Sequence, residues 1–401
     1  MTDKCKVPEI RFKGFLQKWR LQHLGDVIED YIEKTTIQNQ YPVLTSSQQL
    51  GVVLQESYFA NRQVTTNKNI GYFVLPKGYF TYRSRSDTDI FVFNRNDIID
   101  KGTISYFYPV FKVKDADSDF FLRRINHGTK QQLAMAAAGT GQRVLSHTKF
   151  KKMVLLFPLI EEQKKIGSFF QNLDSLITVL QRKYDKLITV KKAMLEKMFP
   201  KDGADVPEIR FEGFTEKWEQ RKLREITIPF AEPVPTPKDG YWRLGIRSHA
   251  KGTFHDFVRA GRELETAKMH KVSANNFIVN ITFAWEHAVA ITDVSDDGKL
   301  VSHRFPQFSF NEGMVPGYFK LLILDKRFKY HLWLSSPGGA GRNRVLKINE
   351  MLEYPFWVPK ETEQSKIANF FQHLDSLIDL QQRELDKLKS IKKACLEKML
   401  V

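Results

Sequence analysis

The sequence holds only two cysteines, Cys5 and Cys395, in 401 residues. That excludes a disulfide framework and a cysteine-based metal cluster, and both residues read as ordinary thiols. The ten histidines are scattered without metal-ligand spacing, so no metal and no cofactor is expected. No apolar run approaches the length of a membrane span, and the opening residues MTDKCKVPEIRF contain no apolar signal core. These two absences predict a cytoplasmic protein. No Walker P-loop occurs, and no G-x-G-x-x-G follows a strand. Gly139-Thr140-Gly141 and Gly338-Gly339-Ala340-Gly341 lie outside any βαβ pattern, which weighs against a dinucleotide or S-adenosylmethionine site. A nuclease-like Glu-x-Lys triplet, Glu162-Gln163-Lys164, is better explained as a helix N-terminus. The expectation is a binding protein with no catalytic residue of its own.

Acidic charge is also in short supply. Lys and Arg number 62 against 46 Asp and Glu, a formal charge of +16 with a pI near 9.5. Such a surplus points to a polyanionic partner, nucleic acid first, because basic side chains neutralise phosphates. Hydrophobic residues at 42% and aromatics at 12% describe a folded chain long enough for two or more cores.

What the chain does contain, it contains twice. Pro158–Met198 reads PLIEEQKKIGSFFQNLDSLITVLQRKYDKLITVKKAMLEKM, and Pro359–Met399 repeats it without a gap, with 25 of 41 positions identical. Apolar residues recur in steps of four and three at Leu173, Ile177, Leu180, Tyr184, Leu187, Met194 and Met198, with Lys191 filling one position. The second copy gives Leu374, Ile378, Leu385, Leu388, Cys395 and Met399, with Lys392 in the matching slot and Gln381 where the first copy has Leu180. This is a heptad seam. A helix of about 38 residues is ~57 Å long and wants a partner along that seam. The other copy is the obvious one, in an intramolecular coiled coil; the alternative is two separate helices, each packed on its own domain.

A second repeat opens each half: VPEIRFKGFLQKW at Val7–Trp19 and VPEIRFEGFTEKW at Val206–Trp218. Each half is therefore an opening motif, a globular body and a long helix, a pseudo-twofold internal repeat. The boundaries expected are 1–155 and 201–357 for two globular domains and 156–200 and 358–401 for the helices. The bodies share little sequence. Both show short β-like runs: GYFVLP (71–76), IFVF (90–93) and YPVFKV (108–113), then NNFIVNITF (275–283), HAVAITDV (287–294) and FKLLIL (319–324). They predict α+β bodies rather than βαβ alternation. Only the tails of the bodies match, GTGQRVLSHTKF (139–150) and GAGRNRVLKINEM (339–351), each a Gly-rich turn followed by a basic residue. Such a turn presents backbone N–H groups and arginine to phosphate, or is a plain loop that starts a helix.

Candidate nucleic-acid contacts follow from residue type. In the first body they are Ser46, Ser47 and Gln48; Arg62 and Lys68; Tyr82, Arg83, Ser84 and Arg85; and Thr140, Gln142 and Arg143 at the turn. In the second they are Arg243, Arg247, Ser248 and Lys251; Asn280, Thr282 and Trp285; and Arg342, Asn343 and Arg344. Arginine forks onto guanine, glutamine and asparagine pair with adenine, and hydroxyls serve phosphates or bases. Trp285 is as well explained as core.

The FxGFxxxW openings, the unlike bodies and the repeated P…EQxxIxxFFxxLDxxI helix behind a Gly-rich turn together resemble the specificity subunit of type I restriction–modification systems, over the whole chain. The resemblance implies two target-recognition domains that each read half of a bipartite double-stranded DNA target, held apart by the conserved helices as an antiparallel coiled coil. It also implies assembly with two adenine-N6 methyltransferase subunits and with restriction–translocase subunits. The bodies are that family's variable part, so no target sequence carries over. Two other readings compete. A self-contained DNA-modifying enzyme is opposed by the missing Asp/Asn-Pro-Pro-Tyr/Phe tetrapeptide. A non-specific basic coiled-coil scaffold is opposed by two unlike bodies on two alike helices.

Overall fold

A computed structural model describes residues 7–59, 68–139, 141–201, 203–263, 268–338 and 344–400. It is mixed α+β and divides into two units, Met1–Arg182 with Gln382–Val401, and Lys183–Gln381. The helices Ile160–Lys197 and Glu361–Met399 each give one part of their length to each unit. Among the described residues no helix is long and apolar enough to cross a membrane.

In the first unit, Arg20–His23 pairs antiparallel with Val154–Phe157, so the strand after the opening motif lies beside the strand before the long helix. The body holds a four-stranded sheet in the order Ile28–Asp30, Val110–Val113, Phe80–Tyr82, Phe93–Arg95. Its core is aromatic. Phe93 and Phe150 stack at 4.8 Å, Phe80 and Phe111 at 5.7 Å, and all four are fully buried. Each contributes on the order of 1.5–3 kcal/mol by leaving water.

The second unit repeats this plan with other residues. Glu219–Lys222 pairs with Pro355–Val358. Its four-stranded sheet runs Thr227–Phe230, Gln307–Phe310, Phe277–Val279, Val289–Ile291, the same 1-4-2-3 order by chain position. It adds a five-stranded sheet that includes the hairpin Tyr241–Ile246/Thr253–Val258. One expectation is corrected: FKLLIL is not a strand. It belongs to the helix Pro316–Leu322, started by proline at its first turn, with Tyr318 and Phe319 buried on one side.

The repeated sequence has a repeated structural task. Gly14 and Gly213 adopt φ of +99° and +92°, a turn that glycine makes without strain. It leads to Trp19 and Trp218, buried in their units. Arg11 donates to both carboxylate oxygens of Glu162 at 2.6 and 2.7 Å, and Arg210 does the same to Glu363 at 2.7 Å. The adjacent glutamines are buried too. Gln163 takes the N–H of Asp117 and donates to the Pro158 carbonyl, and Gln364 takes that of Val315 and donates to Pro359. Glu162 does lie in the first turn of its helix, and with Gln163 it also clamps the chain against it. The hydrogen bond to Glu162 holds the Arg11 guanidinium above its ordinary range, and Glu363 does the same for Arg210.

The paired helices run antiparallel within each unit. In the first, Asp174 meets Lys392 and Gln181 meets Lys389, while Leu173, Cys395 and Met399 join the main core. In the second, Lys191 meets Asp375, while Leu187, Met194, Met198 and Leu374 join the core. Ile378 and Leu385 are buried, and Ile177, Leu180, Tyr184 and Leu388 half-buried. The seam lysines, Lys191 and Lys392, therefore close ion pairs across the helices instead of interrupting them.

Candidate nucleic-acid interface

In each unit the segment behind the Gly-rich turn returns to the run of polar residues proposed as a contact. The Leu145 N–H donates to the Ser84 carbonyl at 2.8 Å, and the Leu346 N–H to that of Ile281 at 2.9 Å. Leu145 and Leu346 are the same position of the repeat. The 83–85 run and the 280–286 run are thereby placed alike, although nothing in their sequences matches.

In the first unit, Arg143–Leu145 is the middle strand of a small sheet, flanked by Ala137–Ala138 and Arg85–Ser86. Arg85 is exposed and lies 4.2 Å over the Phe107 ring. Arg83 and Lys68 are exposed. Ser84 donates to the Phe107 carbonyl, and Gln142 to Asp87. The 46–48 hairpin end reaches the same sheet region: Asn94 donates to Ser46, and the exposed Gln48 to the Ile90 carbonyl. Three proposed residues have other tasks. Tyr82 is fully buried, its hydroxyl against His147, and burial pushes that hydroxyl up. Ser47 is 6% exposed and takes the N–H groups of Gln49 and Leu50 to close the hairpin turn. Arg143 donates to the carbonyls of Ala134 and Ala137 and faces Asp89 at 3.0 Å, so it holds the turn together with its charge already partnered.

In the second unit three proposed segments meet. Ser248 donates to Glu286, the His249 N–H to the Glu286 carbonyl, and the tail to Ile281. Arg247 is exposed, stacks on Phe254 at 5.2 Å and donates to the Thr253 carbonyl. Arg243 is tied to Asp256 at 2.7 Å across its hairpin, which removes it as a free cation. Lys251 is exposed. Asn280 is buried and caps its own turn, taking the N–H and hydroxyl of Thr282. Arg62, Thr140, Arg342 and Asn343 lie outside the described residues.

Sequence reasoning missed the helix Lys326–Leu334. Its buried face is Phe328 and Leu332. Its outer face carries Lys326, Lys329, Tyr330 and Trp333, which with Trp285 line a recess of about 320 Å³. Arg344 lies 4.8 Å over the Trp333 ring. The spacing 326, 329, 330, 333 is one helical face, and that was the available signal. A larger recess of about 930 Å³ near Leu195, Phe199 and Trp357 contains none of the proposed contacts. Among the described residues no group of His, Cys, Asp or Glu is placed to hold a metal ion.

The profile of the family described as type I restriction modification DNA specificity domain matches twice, over residues 17–189 and 215–390. The type I restriction enzyme specificity subunits MjaX and MjaVIII of Methanocaldococcus jannaschii are 23% and 20% identical over 287 and 286 residues. These alignments cover 66% and 65% of this chain but 63% and 64% of the relatives, just under two thirds of their length. The crystal structure of the type I restriction–modification system S subunit from M. genitalium is similar with a TM-score of 0.57 at 12% identity, over 98% of this chain and 99% of that one. At that identity the likeness is one of fold.

Proposed function

Because the chain belongs to the family of type I restriction modification DNA specificity domains, matched once in each half, we propose that it is the DNA-specificity subunit of such a complex, with each body reading one half of a bipartite duplex target. The observation that carries this is the matched return of the tail onto two unlike polar runs, Leu145 to Ser84 and Leu346 to Ile281. A common frame that presents different side chains at one place suits two readers of different sequence. The recognition domains are 1–155 and 201–357, and the helical segments 156–200 and 358–401 join them.

Base and phosphate contacts come from the exposed members of the sets, Gln48, Lys68, Arg83 and Arg85 in the first body and Arg247 and Lys251 in the second, and from the half-buried Arg344. Arginines that already hold a carboxylate, Arg143 and Arg243, shape the surface instead. Methyl transfer and cleavage belong to partner subunits. Leu176 and Val179, and Leu377 and Leu380 at the same two positions of the repeat, are exposed at 46%, 46%, 37% and 55%. An apolar pair one helical turn apart, left in water twice at the same place, supports one kind of partner bound twice, as two copies of a methyltransferase subunit require.

The test is to exchange residues 219–357 for the second body of a relative, express the chimera with its methyltransferase partner, and sequence the methylome. One half of the bipartite motif changes and the other stays. A change in both halves, or in neither, refutes the two-reader assignment.

A further inference from the structure

The recess on the outer face of Lys326–Leu334 is built unlike the rest of the surface. Tyr330 and Trp333 are 61% and 42% exposed, yet their rings lie 5.9 Å apart and only 11° from parallel. They are not overflow from the core, because Phe328 and Leu332 on the other face are fully buried. The Trp285 indole N–H is spent on the Thr282 carbonyl at 3.2 Å, so that residue offers ring surface and no donor. Lys326 is exposed, Lys329 and Arg344 are half-buried, and no carboxylate pairs with any of the three among the described residues. The walls therefore supply flat aromatic surface and unpartnered positive charge together.

That combination selects a planar, electron-rich group joined to an anion. Bases paired inside a duplex turn their edges outward and keep their faces stacked. Only a base out of the helix offers a face, and aromatic side chains with nearby cations are what hold such bases. Enzymes that act on a base take it out of the stack, so a subunit guiding that chemistry meets DNA with an unpaired base. We propose that this recess binds one unpaired nucleobase of the bound DNA, stacked among Trp285, Tyr330 and Trp333, with its flanking phosphates at Lys326, Lys329 and Arg344. The inference rests on the DNA-specificity reading and goes beyond it, because it concerns base faces rather than sequence. It is also one-sided. The helix before the Gly-rich turn of the first unit, Lys130–Ala136, has Met135 exposed at 71% and no aromatic residue.

The experiment uses the full chain and three probes of one arbitrary sequence: an intact duplex, the same duplex with one extrahelical thymidine, and the single strand. Affinity and tryptophan emission are measured for the wild type, Trp333→Ala, Tyr330→Ala, and the control Trp242→Ala, an exposed tryptophan outside the recess. The Trp333 and Tyr330 variants are expected to bind the bulged duplex and the single strand about 5- to 100-fold more weakly. The intact duplex and the Trp242→Ala control are expected to be unchanged. Tyr330 is mostly in water, so its variant folds even if Trp333→Ala does not. Equal loss on all three probes, or no loss on the bulged duplex, overturns the proposal. So does normal bulge binding combined with lost methylation in the assembled complex, which would make the recess a protein-docking site. Failure of the wild type, expressed with its methyltransferase partner, to give any methylated bipartite motif would instead overturn the DNA-specificity reading.

Discussion

Replacing Arg210 by alanine tests the repeated clamp most directly. The arginine side chain is 15% exposed and its partner Glu363 is 1% exposed, so the deletion strands a carboxylate that water cannot reach. Removing one member of a buried ion pair costs about 3–5 kcal/mol, most of it the uncompensated charge left behind. The opposite deletion, Glu363→Ala, leaves the more exposed member, which can turn toward solvent, so its loss should fall at or below the low end of that range. Replacing both, as Arg210→Met with Glu363→Leu, should recover most of the deficit. Urea unfolding of the full chain measures the deficit, and hydrogen exchange over residues 206–218 localises it. A deficit under about 1 kcal/mol would refute the clamp.

Other outcomes are expected as well. A permutant joining residue 401 to residue 1 and opened near Lys201 should fold and keep its target specificity, because Ile10 already bonds the Lys398 carbonyl at 3.0 Å; a linker of adequate length and a misfolded product would sink that view. Gly167→Ala should destabilise the first unit by about 1–3 kcal/mol in thermal melts, since its Cβ would sit 2.4 Å from the Asp117 carboxylate and 3.0 Å from the Phe120 nitrogen. The second unit carries Ala368 at that position and makes room with Gly317 instead, so Ala368→Gly should cost only about 1 kcal/mol. Burial lowers the pKa of His287, so protonation opposes folding: stability should fall as pH drops below the ordinary 6.5, and His287→Gln should flatten that slope in melts from pH 7.5 to 5. A heptad added after both Leu180 and Gln381 adds ~10 Å of helix and should lengthen the spacer of the methylated motif by about three base pairs; an unchanged spacer from a folded, active protein would show that the helices do not set it.

The repeat made the helices and the opening motif legible, because a heptad seam and a duplicated Phe-x-Gly-Phe survive divergence. It did not tell what Glu162 and Gln163 do. Acidic and amide residues after a proline read as a solvated helix start, and only the fold brings Arg11 and the Asp117 N–H against them. Tyr82 stood among hydroxyls and arginines, but the strand Phe80–Tyr82 is buried along its whole length, and Arg83, just past its end, is exposed. FKLLIL was read as a β-like run because it is short and apolar; Pro316 starts a helix that takes in Phe319–Leu322. The outer face of Lys326–Leu334 escaped notice because KRFKYHLWL mixes its two faces along the chain, and the aromatics at 328, 330 and 333 separate only when wound.

The junction between opening motif and helix end occurs twice with one difference. Ile209 bonds the Lys197 carbonyl at 2.9 Å with Glu208 beside Lys197, and Ile10 bonds the Lys398 carbonyl with Glu9 beside Lys398. A short run of chain connects the first pair, while the second holds without one. The covalent link between the halves is therefore a convenience of inheritance rather than a requirement of the architecture. A gene for one half would encode an opening motif, a body and a helix whose last turns match, residue for residue at Leu187/Leu388 and Met198/Met399, those that the other half lends. Exchange of one body at the shared helix leaves these junctions in place, because they lie in the opening motifs and the helix ends.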